Sequence, residues 1–121
     1  MPETNKIAII TAEELKRAIE TNPELIIINV LAETFYNDCH IKGSINIPFE
    51  KLLEKTSGWD KEKDVVVYCA TAACPKSQKA YALLQDLGFF NLHEYPGGIH
   101  EWVQRGFETT GPCKLDYLYQ K

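Results

Sequence analysis

The sequence predicts an α/β domain with a central, mostly parallel sheet that is flanked by helices. Two apolar, β-branched runs, Leu25–Val30 and Val65–Cys69, have the composition of strands that are buried on both faces. Segments with helical spacing of apolar residues alternate with these runs, which is the order found in layered α/β folds. The 121 residues suffice for one such domain. We therefore expect residues 1–121 to form a single domain with a loosely attached tail at 111–121.

The first predicted elements are a short strand at Ile7–Ile10 and a capped helix. Thr11 and Glu14 form a capping box, in which Thr11 caps the helix and Glu14 reaches back to the cap. The apolar stripe of this helix consists of Leu15, Ala18 and Ile19. The turn residues Thr21–Pro23 end the helix before the first buried run.

Three short elements are predicted between the two buried runs. A helix is expected at Ala32–Cys39 and a strand at Ser44–Ile47. A further helix is expected at Pro48–Leu53, because proline is favoured in the first turn of a helix.

The last third of the chain repeats the order of strand and helix. After Val65–Cys69, helical spacing is shown by Ala80, Leu83, Leu84 and Leu87. Gly88 stands where a left-handed C-cap belongs. A strand at Leu92–Tyr95, a turn at Pro96–Gly98 and a helix at Ile99–Arg105 complete the predicted domain.

Charge and composition exclude several classes of protein. The net charge of −4 argues against nucleic acid as a partner, because binding it requires a basic face. No apolar run has the length of a transmembrane helix, so no membrane association is expected. Met1–Lys6 lacks the basic and then apolar layout of a signal peptide. A cytoplasmic location is therefore the expectation.

The cysteines do not follow the spacing of a disulfide scaffold or of a paired zinc site. They are Cys39, Cys69, Cys74 and Cys113. In a reducing compartment we expect all of them to be free thiols, with Cys113 incidental in the tail. No metal site is expected.

The most informative segment is Val65–Ser77, which delivers Cys69 from a buried strand into a loop of small residues just before a helix. Backbone N–H groups and the positive end of a helix dipole favour a thiolate over a thiol, and both bind anions. We therefore expect the pKa of Cys69 to fall from about 8.5 into the range of about 3.5–7.5. This pattern points to nucleophilic sulfur chemistry on an anionic substrate.

Three blocks of the sequence resemble a single-domain rhodanese over nearly the whole chain. The first block runs from Asn29–Leu31 to His40–Pro48 and is similar to the family's Asp-Val-Arg and Gly-His-Ile-x-Gly-Ala-x-Asn-Ile-Pro segments. The second is the Cys69 loop with its helix. The third is Leu87–Phe89 followed by Tyr95–Trp102, similar to the family's Gly-Phe and Gly-Gly-x-x-x-Trp ending. The resemblance implies a three-layer rhodanese-like fold.

The resemblance also implies a sulfurtransferase that forms a persulfide on Cys69. Thiosulfate or a persulfide would donate the sulfur, and cyanide, a thiol or a dithiol, including protein thiols, would accept it. The residues implied in binding the anionic donor are Ala70, Thr71, Ala72, Ala73, Cys74, Lys76 and Ser77. The N–H groups of residues 70–74 would stabilise the persulfide as an oxyanion hole stabilises oxygen. No metal or organic cofactor is implied.

The loop departs from the family's Cys-x-x-Gly-x-Arg-Ser pattern. Cys69 and Ser77 are eight positions apart instead of six, the loop glycine is missing, and Lys76 replaces the arginine. Lysine keeps the charge but loses the bidentate geometry of arginine. Two alternatives therefore stay open. One is an enzyme that acts on phosphate or arsenate with the same cysteine, and the other is a sulfur-relay or binding module without turnover.

Cys74 and two apolar replacements complete the departures. Cys74 is a candidate resolving thiol for a Cys69 persulfide, a candidate second sulfur carrier, or a small packing residue. Leu31 and Phe35 stand where the family has arginine and glutamate. Replacing an ion pair by packed apolar residues leaves a fold intact in many cases, so the fold prediction is unchanged.

Overall fold

The computed structural model describes residues 7–120; the predictions for Met1–Lys6 lie outside the described residues. The helices are α1 (Ala12–Thr21), α2 (Glu33–Asp38), α3 (Leu52–Thr56), α4 (Lys76–Asp86) and α5 (Gly98–Gln104). The strands are β1 (Ile26–Asn29), β2 (His40–Ile41), β3 (Ile45–Asn46), β4 (Val65–Tyr68), β5 (Leu92–Tyr95) and β6 (Thr109–Thr110). Two 3₁₀ turns cover Phe49–Lys51 and Asp116–Tyr119. Within residues 7–120, no helix is long and apolar enough to cross a membrane.

The central sheet is parallel and has the strand order β3-β1-β4-β5. Strand β4 therefore has a paired strand on each side, and its register places Tyr68 beside Asn29 of β1 and Tyr95 of β5. Strands β2 and β6 form a separate antiparallel pair. This topology confirms the predicted α/β fold with a mostly parallel sheet.

Both faces of the sheet are covered, because successive side chains of a strand point to opposite faces. On one face, Val65, Val67 and Cys69 pack with Leu52 of α3 and Leu84 of α4. The opposite face of β4 belongs to a second cluster, to which α1, α5 and the C-terminal segment contribute. Its buried members include Leu15, Val66, Tyr68, Ile99, Trp102 and Leu118. The arrangement is the expected three-layer domain.

Among the predicted helix and strand boundaries, the start of α1 agrees best with the structure, because a capping motif marks it in the sequence. Thr11 and Glu14 form the predicted capping box at the start of α1. The strand expected at Ile7–Ile10 is reduced to a single bridge between Ile9 and Glu94. The helix expected at Pro48–Leu53 begins as a 3₁₀ turn and continues as α3.

Residues 112–120 are held against the domain, which differs from the expectation of a loosely attached tail at 111–121. The carbonyl oxygen of Asp38 accepts a 2.7 Å hydrogen bond from the Cys113 amide, and its carboxylate accepts one of 3.0 Å from the Lys114 amide. Leu118 has no exposed surface and belongs to the core. No local pattern indicates this, because the contacts join residues far apart in the chain.

The expectation of four free thiols is wrong for two of the cysteines. Cys39 and Cys113 form a disulfide with a sequence separation of 74. The bridge joins the end of α2 to the C-terminal segment, so Cys113 has a structural role. Cys69 and Cys74 are free.

Candidate active site

Cys69 immediately follows β4, at the end of the sheet where parallel strands meet their connecting loops. Its side chain belongs to the cluster under α3 and α4, and the residue is only 1% exposed. A donor molecule can therefore reach the sulfur only after part of the covering loop moves. The cysteine follows a strand that is paired on both sides, and residues 70–74 are the loop directly next to it.

The N-terminal turn of α5 holds the backbone of the loop. The amide of Ile99 donates a 3.0 Å hydrogen bond to the Cys69 carbonyl oxygen, and the amide of His100 donates one of 2.9 Å to the Ala70 carbonyl oxygen. Gly98 makes this approach possible. A Cβ atom on it would lie 2.7 Å from the backbone of both loop residues.

Residues 71–74 form a turn of their own above the sulfur. The Cys74 amide donates to the Thr71 carbonyl oxygen at 3.0 Å, and the Ala73 amide donates to the Thr71 hydroxyl at 3.3 Å. Ala72 and Ala73 are exposed, whereas Thr71 and Cys74 are partly buried. Two of the N–H groups expected to bind a substrate anion are therefore used within the loop.

Ser77, at the start of α4, is a polar residue that interacts with the sulfur of Cys69. Ser77 is buried, and its amide and hydroxyl both lower the pKa of Cys69. The hydroxyl also donates a 2.7 Å hydrogen bond to Oε2 of Glu94, which is itself buried in β5. Glu94 thus connects the neighbouring strand to the cysteine through Ser77.

The prediction of a lowered pKa for Cys69 is wrong. The pKa of Cys69 is raised to about 11, first by burial and then by the hydrogen bond and the charge of the Cys74 side chain. The hydrogen bonds of Ser77 oppose this rise but do not overcome it. The thiol accordingly donates a 3.5 Å hydrogen bond to the Cys74 carbonyl oxygen, and Cys69 is a neutral thiol at pH 7.

Within residues 7–120, no hydrogen bond links Lys76 to Cys69. It is partly buried as the first residue of α4, and it forms no ion pair with any residue in the range 7–120. Its position at the helix N-terminus leaves the ammonium group available to an anion. Asn46, another polar residue of the region, has a structural role, since it donates to the carbonyl oxygens of Asn29 and Leu31.

Sequence reasoning missed the roles of two residues at the site. Glu94 carries a signal as a charged residue inside a predicted buried strand. Gly98 belongs to the predicted turn and to the block that is similar to Gly-Gly-x-x-x-Trp, but neither pattern indicates that it contacts the loop after Cys69. Tyr117 lies in the segment expected to be loose and packs in the cluster on the opposite face of the sheet. Burial first and then the charge of Asp38 raise the pKa of Tyr117 to about 12.

The site therefore defines a class: α/β domains in which a buried cysteine lies between a central parallel strand and the N-terminus of a helix. Residues 11–105 match the model of the family described as the rhodanese-like domain. The match covers most of the chain, and the protein belongs to this family.

Two curated proteins illustrate the range of relatives. The thiosulfate:glutathione sulfurtransferase of Saccharomyces cerevisiae is 27% identical over 108 residues, which cover 78% of this chain and 76% of that protein. An HTH-type transcriptional regulator of Mycobacterium tuberculosis is 31% identical over 97 residues, which cover 80% of this chain. The match spans only 42% of the regulator.

Solved structures agree with the fold. The BH2092 protein from Bacillus halodurans superposes with a TM-score of 0.82 at 30% sequence identity, covering 94% of this chain and 85% of that chain. This solved structure is therefore similar to the protein in both fold and sequence.

Proposed function

We propose that the protein is a sulfurtransferase in which Cys69 carries sulfane sulfur from a small anionic donor to a thiol or to cyanide. The observation that carries the proposal is the position of Cys69, buried at the end of β4 with the amide and hydroxyl of Ser77 acting on its sulfur. Family membership and the name of the yeast relative support thiosulfate as donor and a glutathione-type thiol as acceptor.

The proposed reaction consists of two displacements at sulfur. The Cys69 thiolate attacks the outer sulfur of thiosulfate, a Cys–S–S bond forms, and sulfite leaves with the electron pair of the broken bond. An acceptor thiolate then attacks the outer sulfur of the persulfide, and the Cys69 thiolate leaves. Both steps require an anion at the same place, where Ser77 supplies hydrogen bonds and Lys76 a positive charge near the start of α4.

Access and ionisation are coupled in this proposal. The buried Cys69 must lose its proton before it can attack, because the thiolate and not the thiol is the nucleophile. Movement of residues 70–74 that lets the donor in would also admit water and reduce the desolvation of the thiolate. The N–H groups of these residues would then be able to turn towards the bound anion.

The location belongs to the same proposal. We propose the cytoplasm, where the free thiols of Cys69 and Cys74 would persist. The Cys39–Cys113 disulfide is of a kind more common in oxidising compartments. Differential alkylation of thiols in intact cells, followed by mass spectrometry, would measure the redox state of both pairs.

The test of the function is the intact mass of the reduced protein after incubation with thiosulfate, and separately with a persulfide donor. The protein is tested as wild type and as Cys74→Ala, which lacks the candidate resolving thiol. We expect at least one of the two to acquire a sulfur atom that Cys69→Ser cannot acquire, and to transfer it to cyanide as thiocyanate. Absence of sulfur uptake from both donors in both proteins, without release of hydrosulfide, would overturn the proposal. Uptake without transfer to any acceptor would favour a relay module, and turnover of arsenate or a phosphate ester without persulfide would favour the oxyanion enzyme.

A further inference from the structure

Cys69 and Cys74 are the free cysteines of the described structure and lie on the same loop. The thiol of Cys69 donates a hydrogen bond to the carbonyl oxygen of Cys74 at 3.5 Å. The Cys74 side chain packs against the apolar cluster that contains Cys69. Cys74 is partly exposed, whereas Cys69 is buried, so the two thiols differ in access to water.

The turn at Thr71 explains why residue 74 folds back onto residue 69. Its carbonyl oxygen accepts the Cys74 amide at 3.0 Å, and its hydroxyl accepts the Ala73 amide at 3.3 Å. The two residues by which this loop exceeds the family pattern provide the length for the turn. The added length therefore places a second sulfur beside the first.

The electrostatic coupling of the two thiols is consistent with this geometry. Burial raises the pKa of Cys69 most, and both the hydrogen bond and the charge of Cys74 raise it as well. The 3.5 Å hydrogen bond to the Cys74 carbonyl oxygen and the packing of Cys74 against the same cluster show the contact independently. No other residue of the loop has a nucleophilic side chain beside Cys69, apart from the hydroxyls of Thr71 and Ser77.

We propose that Cys74 resolves the persulfide of Cys69 and releases its outer sulfur as hydrosulfide. This inference rests on the proposed function, because the persulfide must first form. The Cys74 thiolate attacks the inner sulfur, which is Sγ of Cys69, and a Cys69–Cys74 disulfide forms. For this step the Cys74 thiol has lost its proton to water, and the persulfide is in its protonated form, Cys69–S–SH. The bond between the inner and outer sulfurs breaks, and its electron pair leaves with the outer sulfur, which keeps its proton and departs as HS⁻. The sulfane sulfur is reduced, and the Cys74 sulfur is oxidised to the same extent.

The choice of the inner sulfur follows from the position of Cys74. Its carbonyl oxygen and side chain interact with Sγ of Cys69 itself. The outer sulfur of a persulfide extends beyond Sγ by a further bond and so lies away from this contact. Attack on the outer sulfur would instead make Cys74 a second sulfur carrier, and that outcome is measurable.

The disulfide must be reduced before another cycle. Two equivalents of a low-molecular-weight thiol, the acceptor class of the proposed function, reduce it by thiol–disulfide exchange. Cys74 is partly exposed, which gives an external thiol a point of attack. The net result is conversion of a sulfane donor into sulfide, an outcome distinct from transfer to cyanide.

The test uses the full chain with its Cys39–Cys113 bridge intact, loaded with thiosulfate and desalted in the absence of any added thiol. Trypsin releases residues 64–76 as one peptide that holds Cys69 and Cys74 but neither Cys39 nor Cys113. In the wild type we expect this peptide to resist alkylation and to be lighter by two hydrogen atoms. Hydrosulfide should appear in an amount of up to one equivalent per protein.

Matched variants separate this inference from the proposed function. Cys74→Ala should keep the persulfide on Cys69 and release no hydrosulfide. Gln78→Ala, at an exposed position of α4 outside the donor-binding residues, should behave as the wild type. Sulfur that stays on Cys69 in the wild type, or that moves to Cys74 without hydrosulfide, would overturn the inference and leave the proposed function standing. Failure of both the wild type and Cys74→Ala to acquire sulfur would overturn the proposed function and this inference with it.

Discussion

The hydroxyl of Ser77 donates its proton to Glu94 through a 2.7 Å hydrogen bond, and both residues are buried beside the strand that ends at Cys69. A hydroxyl has a single proton to donate. Glu94 and the sulfur of Cys69 therefore compete for it, and the bond to Glu94 weakens the effect by which the hydroxyl lowers the pKa of Cys69. The carboxylate therefore helps to keep Cys69 in its protonated form.

Removing this carboxylate should make Cys69 easier to ionise. In the wild type, where the pKa of Cys69 is raised to about 11, alkylation by iodoacetamide should accelerate about tenfold for each pH unit at neutral to mildly alkaline pH. In Glu94→Gln the acceptor is a neutral amide oxygen, which holds the Ser77 proton less strongly than a carboxylate does. The sulfur then competes better for that proton, so the midpoint of this profile should move to lower pH. The rate is measured at Cys69 by fragmentation of the alkylated tryptic peptide.

The matched control is Glu101→Gln, which removes a carboxylate that accepts a hydrogen bond from Tyr95 and not from Ser77. In this variant the dependence of the Cys69 alkylation rate on pH should match that of the wild type. A Glu94→Gln profile that is unchanged, or that moves to higher pH, would contradict the role given to Glu94.

Gly98 should be irreplaceable because its Cα atom packs onto the backbone of the loop. An added Cβ would lie 2.7 Å from the carbonyl oxygens of Cys69 and Ala70, and φ is +70°. We expect Gly98→Ala to lose sulfur uptake and to cost roughly 1–3 kcal/mol more than the backbone strain alone. Gly106 has a similar φ of +74° with no atom within 4 Å, so Gly106→Ala isolates that strain, about 1–2 kcal/mol.

The free energy of unfolding in urea and the uptake of sulfur are measured for both Gly98→Ala and Gly106→Ala. We expect the losses in both quantities to be larger for Gly98→Ala. Equal losses of stability and full sulfur uptake in both proteins would show that the close approach at Gly98 does not matter for the loop.

The Cys39–Cys113 disulfide should stabilise the domain. It closes a long segment, with a sequence separation of 74, and a native disulfide of this kind contributes about 2–4 kcal/mol. Cys113→Ser should lower the free energy of unfolding by that amount. Reductant should bring the wild type to the stability of the variant and should leave the variant unchanged. A wild type that is insensitive to reductant would refute the bridge.

Tyr117 should tolerate loss of its hydroxyl. The oxygen is buried and has no hydrogen-bond partner among residues 7–120, so Tyr117→Phe removes an unsatisfied group and should leave stability unchanged or raise it by about 1 kcal/mol. Tyr36 is the control, because its hydroxyl donates a 2.6 Å bond to the Ser44 carbonyl oxygen and Tyr36→Phe should destabilise by about 1 kcal/mol. Thermal unfolding of both variants compares them directly, and equal destabilisation would mean that Tyr117 has a partner.

The central fold could be predicted because its signals are local. The runs that became β1 and β4 are apolar on both faces, and the capping box at Thr11 and Glu14 marks the start of α1. Strand ends were less certain, since Ile7–Ile10 forms only a bridge. A short apolar segment becomes a strand only where neighbouring chain supplies enough partners.

The remaining features depend on contacts between distant residues. The pairing of Cys39 with Cys113 and the burial of Leu118 arise when the C-terminal segment folds onto α2 and α5. The ionisation of Cys69 could not be foreseen either. A loop before a helix favours the thiolate, but the depth at which the sulfur is buried outweighs that effect, and depth is a property of the assembled core.

Because β4 lies in the centre of the sheet, its backbone should open on a much slower timescale than the loop that follows it. Its amides lie between β1 and β5, so native-state hydrogen exchange there should require opening of the whole sheet. The exposed residues Ala72 and Ala73 belong to a surface turn that can open on its own. Cys69 lies between these two segments, so we expect slowly exchanging amides before it and rapidly exchanging amides after it. The loop can then rearrange many times while the strand that carries the sulfur keeps its register.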